Sequence, residues 1–538
     1  MAIINTKAIE ANQEAEEESR ARREAEEYAA RHDTLWTQAP PAYEEVASIT
    51  TSSRVDDDDD NENYKPVQGP SWSKIEETSR KVWISKHIPQ YTCNTTFSLS
   101  ANVATLIRAY GTGYNGWLRI GSSSELKEDV WKSMHGDLGM DKIGIMVQAR
   151  FTHSDLLDLI NLNKMREERD GEIISEGIRL KAGEMGTRGN RFLHLTIIVY
   201  LPEPNCRTST RLARDGTSYL PGLDLFTDNL QIIFDGSNPS SRLSFSKIIA
   251  NARISGIILR MNLLAKESII LNSNLGQISD FLSTKSSNLL IASPKISIFS
   301  QSGSIQLSEL IAIDEIELST INGAINVSQM ALARKVICTS REGSLRGQFS
   351  AYDNLSVKTT NALVEIGVNA NKDAYKEHLI SSGLLAILDP EKGQQVLQEL
   401  ESNASWRNLK VSAFTQVGST SVKYIDQDEE TQLISEAISI TGSVNVSHSN
   451  SFQGKVEFEA TIGSIAIHDS FDDESQPKLK TFEVDLGHSE QKQGKYIQAR
   501  VFLIDPGWEA VGMDRKSAFP LSHSRMYSNV GRIESSFT

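Results

Sequence analysis

Cysteine is nearly absent: three residues in 538, Cys93, Cys206 and Cys338, with no CxxC pair among them. That scarcity excludes a disulfide scaffold and a zinc site of the usual ligand spacing. A basic excess is missing as well. The chain carries 70 acids against 55 bases, a net charge of −15, which argues against nucleic acid as a partner, because phosphate backbones need a basic surface. Long apolar runs are lacking too. The most apolar stretch, Leu193–Leu201, has 9 residues, where a spanning helix needs about 20, so no membrane span is expected. The first residues, MAIINTKAIEANQEAEEE, have no basic region followed by an apolar run. No secretory signal is read there, and a cytoplasmic protein is expected. Without one, the Asn-x-Ser/Thr triplets at Asn94, Asn326, Asn403 and Asn445 are read as chance. Aromatics are only 7%, which argues mildly against a glycan-binding face of stacked rings.

What is present begins with an acidic tail. Residues 1–62 hold 17 acids and 6 bases, so most of the net charge belongs to the tail. Residues 8–32 are alanine-rich and helix-prone, with acid-to-base pairs Glu16/Arg20, Glu18/Arg22 and Glu27/Arg31 at the favourable i,i+4 spacing. Large apolar residues are almost missing there, so the segment reads as disordered or partly helical. Asp56–Asp60 is a straight acidic run. It lacks the spaced ligands and bend glycine of a calcium loop and reads as a solvated linker. Residues 1–70 are therefore expected to be a disordered acidic tail.

One motif in the tail has a mechanism. Pro40-Pro41-Ala42-Tyr43 matches PPxY, the ligand pattern of WW domains. Two prolines pre-set a polyproline II segment, an aromatic groove takes them, and a second pocket takes the tyrosine. Pro40, Pro41 and Tyr43 are the expected WW-domain contacts. The alternative is a proline-rich piece of linker. Similarity to PPxY-bearing adaptor proteins implies recruitment of a Nedd4-type ubiquitin ligase, with phosphorylation of Tyr43 as an off switch.

Residues 73–204 form a β-rich block, either a separate domain or the opening turns of a larger β array. Gly116-Trp117-Leu118-Arg119-Ile120 reads as a turn and a short strand, and 143–151 and 193–201 as further strands. Leu156, Leu157 and Ile160 suggest one short helix after Ser154. Of His153, Asp155 and Asp158, the first two stand two apart and face away from each other on such a helix, so the acids read as helix-start residues favoured by the dipole, and no metal is expected.

From about Ser255 the chain repeats itself, within a block expected to span 205–372. A glycine followed two positions later by an aliphatic residue recurs at Gly256, Gly276, Gly303, Gly323 and Gly343, and Asn361-Ala362-Leu363 keeps the phase without glycine; the intervals are 20, 27, 20, 20 and 19 residues. Apolar pairs at Ile296/Ile298, Ile316/Leu318, Val336/Cys338 and Leu355/Val357 keep the same step. Two independent features with one period predict a mainly β fold, a parallel β-solenoid with rungs of about 20 residues. The glycines take corners that demand positive φ or close backbone approach. Serine, threonine and asparagine occupy the corners and the wetted face. Cys338 falls in the inward phase and reads as a core residue. Residues 373–405 interrupt the ladder of 205–372 with helical spacing, starting a second helix at Asp389-Pro390; they read as a helical insertion on the solenoid side, and could be a lid, a partner surface or, most simply, a cap. The ladder resumes over 406–538 with Gly418, Gly442, Gly463 and Gly531, the last in a strand placed to close the stack.

The small–Gly–x–aliphatic element on this ladder resembles the putative adhesin family of β-solenoids, related to auto-transporter adhesin head domains, over about 205–538. The tail, the Gly116–Ile120 element and the ladder together look like its fungal, uncharacterised members. The resemblance implies a parallel solenoid with no defined activity, and a structural or adhesin-like body binding protein or glycan on its side face.

Enzyme signatures are missing. No GxSxG, P-loop or HExxH occurs. The NTD, DD, GHG and RIK set of polygalacturonase-type β-helices is absent as a set. Gly487-His488-Ser489 is an isolated fragment, and Asp472-Asp473 lies in a polar loop. A carbohydrate-active β-helix is the minor alternative. A non-enzymatic interaction protein without cofactor is expected.

Overall fold

The computed structural model describes residues 76–78, 90–122, 141–183, 191–202, 220–236, 242–280, 289–382, 384–387, 390–402, 407–428, 431–449, 454–469, 497–503 and 522–537. The chain separates into Met1–Tyr64 and Lys65–Thr538, and every described residue belongs to the second unit. That unit is mainly β, with mixed strand orientation.

Two runs of parallel pairing organise it. In the first, Leu220–Thr227, Arg242–Ala252, Asn262–Ser273 and Leu290–Ser300 pair in succession. It continues through the later halves of Ile305–Thr320, Ile325–Ser340 and Leu345–Thr359 to Arg407–Val417 and Thr431–Thr441. In the second, Asn115–Ser122, Leu230–Phe234, Ile257–Leu259 and Ile278–Asp280 pair in turn. That run continues through the opening residues of the same three long strands to Val364–Ala370, Thr420–Gln427 and Val444–His448.

The three long strands bend twice. Between Ile305–Thr320 and Ile325–Ser340 the register shifts at Leu307/Glu309 and at Ile311/Glu315, so one 20-residue unit lays down three short straight runs. Ile305 and Leu307, Leu310 and Ala312, and Ile316 and Leu318 all turn to one core. The phase read in the sequence is directly visible in the pairing: Ile316 faces Val336, which in turn faces Leu355, and Leu318 faces Cys338, which in turn faces Val357. Each fully buried Ile or Leu contributes about 1.5–3 kcal/mol, and the columns repeat that term along the stack. Burial pushes the Cys338 thiol far above its ordinary pKa, as expected of a core residue and not of a nucleophile.

Antiparallel strands flank the parallel runs. Gln90–Ser100, Lys142–Phe151 and Leu193–Leu201 pair antiparallel before Asn115–Ser122 begins the second run. Ile160–Arg169 lies antiparallel on Glu172–Ala182, which leads the first run through Ala104–Tyr110. That flanking strand carries Lys164, Arg166, Glu167, Glu168 and Arg169, charges that discourage edge-to-edge pairing. The helix expected after Ser154 is a single 3-10 turn, Ser154–Leu156. Ile160 instead opens the next strand, because strand pairing with Ala182 outweighs a four-residue helical pattern.

The C-terminal strand does not close the stack. Ser522–Phe537 inserts between Thr431–Thr441 and Gly454–Asp469, and Ile497–Leu503 then pairs antiparallel to Gly454–Ala460. Gly463 is the partner of Gly531 in that insertion.

The interruption at 373–405 is helical: α1 (Lys372–Ser381), α2 (Leu384–Ile387) and α3 (Pro390–Ser402). The Asn371 side chain caps α1 by accepting from Asp373 N at 2.9 Å and Ala374 N at 3.0 Å. These helices cover a side of the parallel runs, the position expected of the insertion, and not an end, so they do not act as an end cap. Tyr375, Leu379, Leu384 and Leu400 form a second core with Leu264, Ala292, Ile311, Leu332 and Tyr352. Ala292 pairs with Ile311, and Ile311 with Leu332, so the covered residues are stacked. The middle run is apolar on both faces at Leu264, Ala292, Ile311 and Leu332, with Ser350 the next partner in that column, and the helices bury this outer face.

Candidate functional site: an aromatic cluster and the glycine corners

Strand alternation decides what Asn115–Ser122 shows to solvent. Leu118 and Ile120 are fully buried, while Trp117 points outward and is 43% exposed. Its indole meets the His194 ring edge-on at 4.7 Å and 77°. Phe192 stacks against His194 at 6.1 Å and 11°. His194 Nδ1 lies 2.8 Å from Asn115 Oδ1; with that oxygen accepting, Nδ1 carries the hydrogen and Nε2 is left as an acceptor. Burial, and then the charge of Arg150, push the His194 pKa down, so the ring is neutral at neutral pH. Arg150 is opposite His194 in the ladder, and Gln231 is opposite Trp117. One residue pair further, Arg119 is held by Asp235, with Nε to Oδ2 at 2.8 Å, and Arg260 approaches the same carboxylate at 3.5 Å. The surface therefore offers an aromatic platform beside amide, imidazole and guanidinium groups.

Sequence reasoning placed the Gly116–Ile120 strand and missed this cluster. The outward phase of Trp117 and Arg119 was available as a signal. The approach of Trp117 to His194, 77 positions away, has no local signature.

The glycine corners are built by close approach. A Cβ on Gly303 would collide with the Gly276 carbonyl, one on Gly323 with that of Gly303, and one on Gly343 with that of Gly323. Gly256 and Gly276 are equally crowded by each other's corners. Gly442 combines the same crowding against Gly418 with a φ of +149°, a conformation side chains rarely adopt. From Gly276 onward through Gly442, the Ser or Thr three positions before each corner glycine, and before Ala362, is not on the wetted face; Arg253, three before Gly256, is exposed. Ser273, Ser300, Thr320, Ser340, Thr359, Thr415 and Ser439 are all buried. Ser300 Oγ accepts from Gly303 N at 2.9 Å, and Thr320 Oγ1 accepts from Gly323 N at 2.9 Å. The hydroxyls then donate down the stack: Ser300 to Gly276 O at 3.3 Å, Ser439 to Gly418 O at 2.7 Å. At Asn361-Ala362 the glycine is missing and the corner is rearranged. Thr360 N and Asn361 N both donate to Arg341 O, at 3.2 and 3.0 Å, and the interval shortens to 19 residues.

The remaining sequence candidates are dispersed. Pro40, Pro41 and Tyr43 lie outside the described residues, as do Cys206, Asp472-Asp473 and Gly487–Ser489. Asp155 pairs with Arg191, and His153 Nδ1 is 2.9 Å from Thr152 Oγ1. Among the described residues no group of three His, Cys, Asp or Glu side chains is placed to hold a metal, and no helix is long and apolar enough to cross a membrane.

No family model matches the chain, and no curated protein matches it. A solved structure of a putative cell adhesion protein from Clostridium sporogenes ATCC 15579 aligns with 83% of this chain and 99% of its own at 5% identity, with a TM-score of 0.13. A likeness that low carries no argument about fold or function.

Proposed function

We propose that this chain is a non-catalytic binding protein whose parallel runs wind as a β-solenoid and whose partner docks around Trp117. The observation that carries the reading is the exposed indole braced by His194 and Phe192. A rigid indole with an apolar body and a polar edge is the kind of side chain that anchors a partner. Its neighbours Asn115, Gln231 and Arg150 supply hydrogen bonds of the kind that orient a saccharide or a peptide. Protein and glycan partners are separated by screening the full chain against a glycan panel and a peptide panel, with Trp117→Ala beside each. Binding to one class, abolished by Trp117→Ala in a variant with unchanged circular dichroism, supports the reading; equal binding by the variant overturns it.

A second reading rests on the PPAY sequence. Pro40, Pro41 and Tyr43 recruit a WW-domain partner in the cytoplasm, such as a Nedd4-type ubiquitin ligase, and the body serves as scaffold. The full chain and its Tyr43→Ala variant, tested against a panel of WW domains, decide this. Binding lost in the variant supports it, and binding equal to the variant's removes it.

A further inference from the structure

Asn322 occupies an exposed corner and is followed by Gly323, which is buried. An Asn–Gly step is the sequence most open to deamidation, because glycine puts no side chain in the way of its own backbone nitrogen. That nitrogen attacks the Asn Cγ, the carboxamide C–N bond breaks, ammonia leaves and a succinimide remains. Water then opens the ring to aspartate or isoaspartate. The reaction needs a free glycine N–H and a backbone able to swing that nitrogen onto the side chain.

The corner denies both. Gly323 N–H is committed to Thr320 Oγ1 at 2.9 Å. Asn322 N donates to Gln301 O at 3.1 Å in the rung before, and Glu342 N, in the rung after, donates to Ile321 O at 2.9 Å. Gly343 stacks so tightly on the Gly323 carbonyl that not even a methyl group fits between them. Rotation of the 322–323 peptide would break these contacts together. An isoaspartate would also add a backbone atom where the stack has no room for it.

We propose that Asn322–Gly323 is a latent deamidation site, held shut by the folded corner and opened only by local unfolding of its rung, so that conversion at Asn322 marks chains whose stack has opened. The hydroxyl of Thr320 is the latch.

The test is peptide mapping by mass spectrometry of the full chain, incubated at mildly alkaline pH. Asn322 should convert at least about tenfold more slowly in the folded chain than in urea, since the rate follows the open fraction. Thr320→Val should accelerate conversion several-fold without added denaturant, while Thr320→Ser, which keeps the hydroxyl, should stay near the wild-type rate. Folded wild type converting as fast as the chain in urea overturns the proposal, whether or not Thr320→Val folds. So does a folded Thr320→Val that converts no faster than wild type, or a Thr320→Ser as fast as the unfolded chain.

Discussion

Ser340 and Gly343 share one buried hydroxyl: Gly343 N donates to Ser340 Oγ at 2.8 Å, and the same oxygen donates to the Gly323 carbonyl of the preceding repeat at 3.2 Å. One side chain thus closes its own corner and ties it to the one below. Thr320 and Ser300 repeat the arrangement. Backbone groups at a buried turn, which would otherwise lack partners, are satisfied by a residue small enough to fit inside.

Removing that hydroxyl should be costly. Ser340→Ala leaves Gly343 N–H buried without its acceptor, and a loss of about 1–3 kcal/mol is expected. Gly323→Ala should cost at least as much as the upper end of the ~1–3 kcal/mol typical of overpacking, because the new methyl meets backbone and not a movable side chain. Equilibrium urea unfolding of both variants checks the order.

The helical segment should be needed to keep the body soluble. Leu379→Ala is expected to cost about 2–5 kcal/mol as a core truncation. Deleting 372–402 would uncover Leu264, Ala292, Ile311 and Leu332. Increased binding of an apolar dye and light scattering by the deletion variant, with retained β signal in circular dichroism, is the expected result.

His448 should make the protein acid-sensitive. Burial pushes its pKa down to about 3, and it stacks on Tyr424 at 5.4 Å and 7°. Above pH ~6.5 the ring is neutral in both folded and unfolded chains. Below that, the unfolded chain takes up a proton that the folded chain refuses, so stability falls as pH drops toward about 3. Asp280 acts in the opposite sense: burial raises its pKa to about 6, so it favours the folded chain as pH falls through 6 toward its ordinary range. His448→Phe, which keeps a ring against Tyr424, should flatten the loss of stability below pH ~6.5, read as urea midpoints across pH.

The charge row along the outer face should fix register. Glu315 lies between Lys295 at 3.7 Å and Lys335 at 2.8 Å on adjacent strands. Glu315→Lys lines up three cations and should lower the thermal midpoint, with the loss shrinking at high salt; exposed pairs of this kind are worth up to about 1 kcal/mol each.

Much of this was legible. The inward phase of Ile316/Leu318, Val336/Cys338 and Leu355/Val357 follows from a side-chain period of two repeated at a fixed step. The Ser/Thr three residues before Gly276, Gly303, Gly323, Gly343, Gly418 and Gly442 stood in the sequence too, yet composition alone does not separate an inward hydroxyl from a wetted one. The fate of Ser522–Phe537 was not legible, because its insertion beside Gly454–Asp469 depends on pairing between distant segments. The Trp117–His194 contact was hidden for the same reason.

The stacking itself is tested most directly by distances between paired spin labels on one outward column. Ser412, Ser356, Ile337, Glu317, Ser297, Ile270 and Ile249 are successive register partners. With one label at 412 and the second at 297, 270 or 249, the strand spacing predicts separations of about 19, 24 and 29 Å, a step of roughly 4.8 Å per rung. Even steps in that order are the predicted result. Distances that fail to grow by one strand spacing per rung would contradict the account.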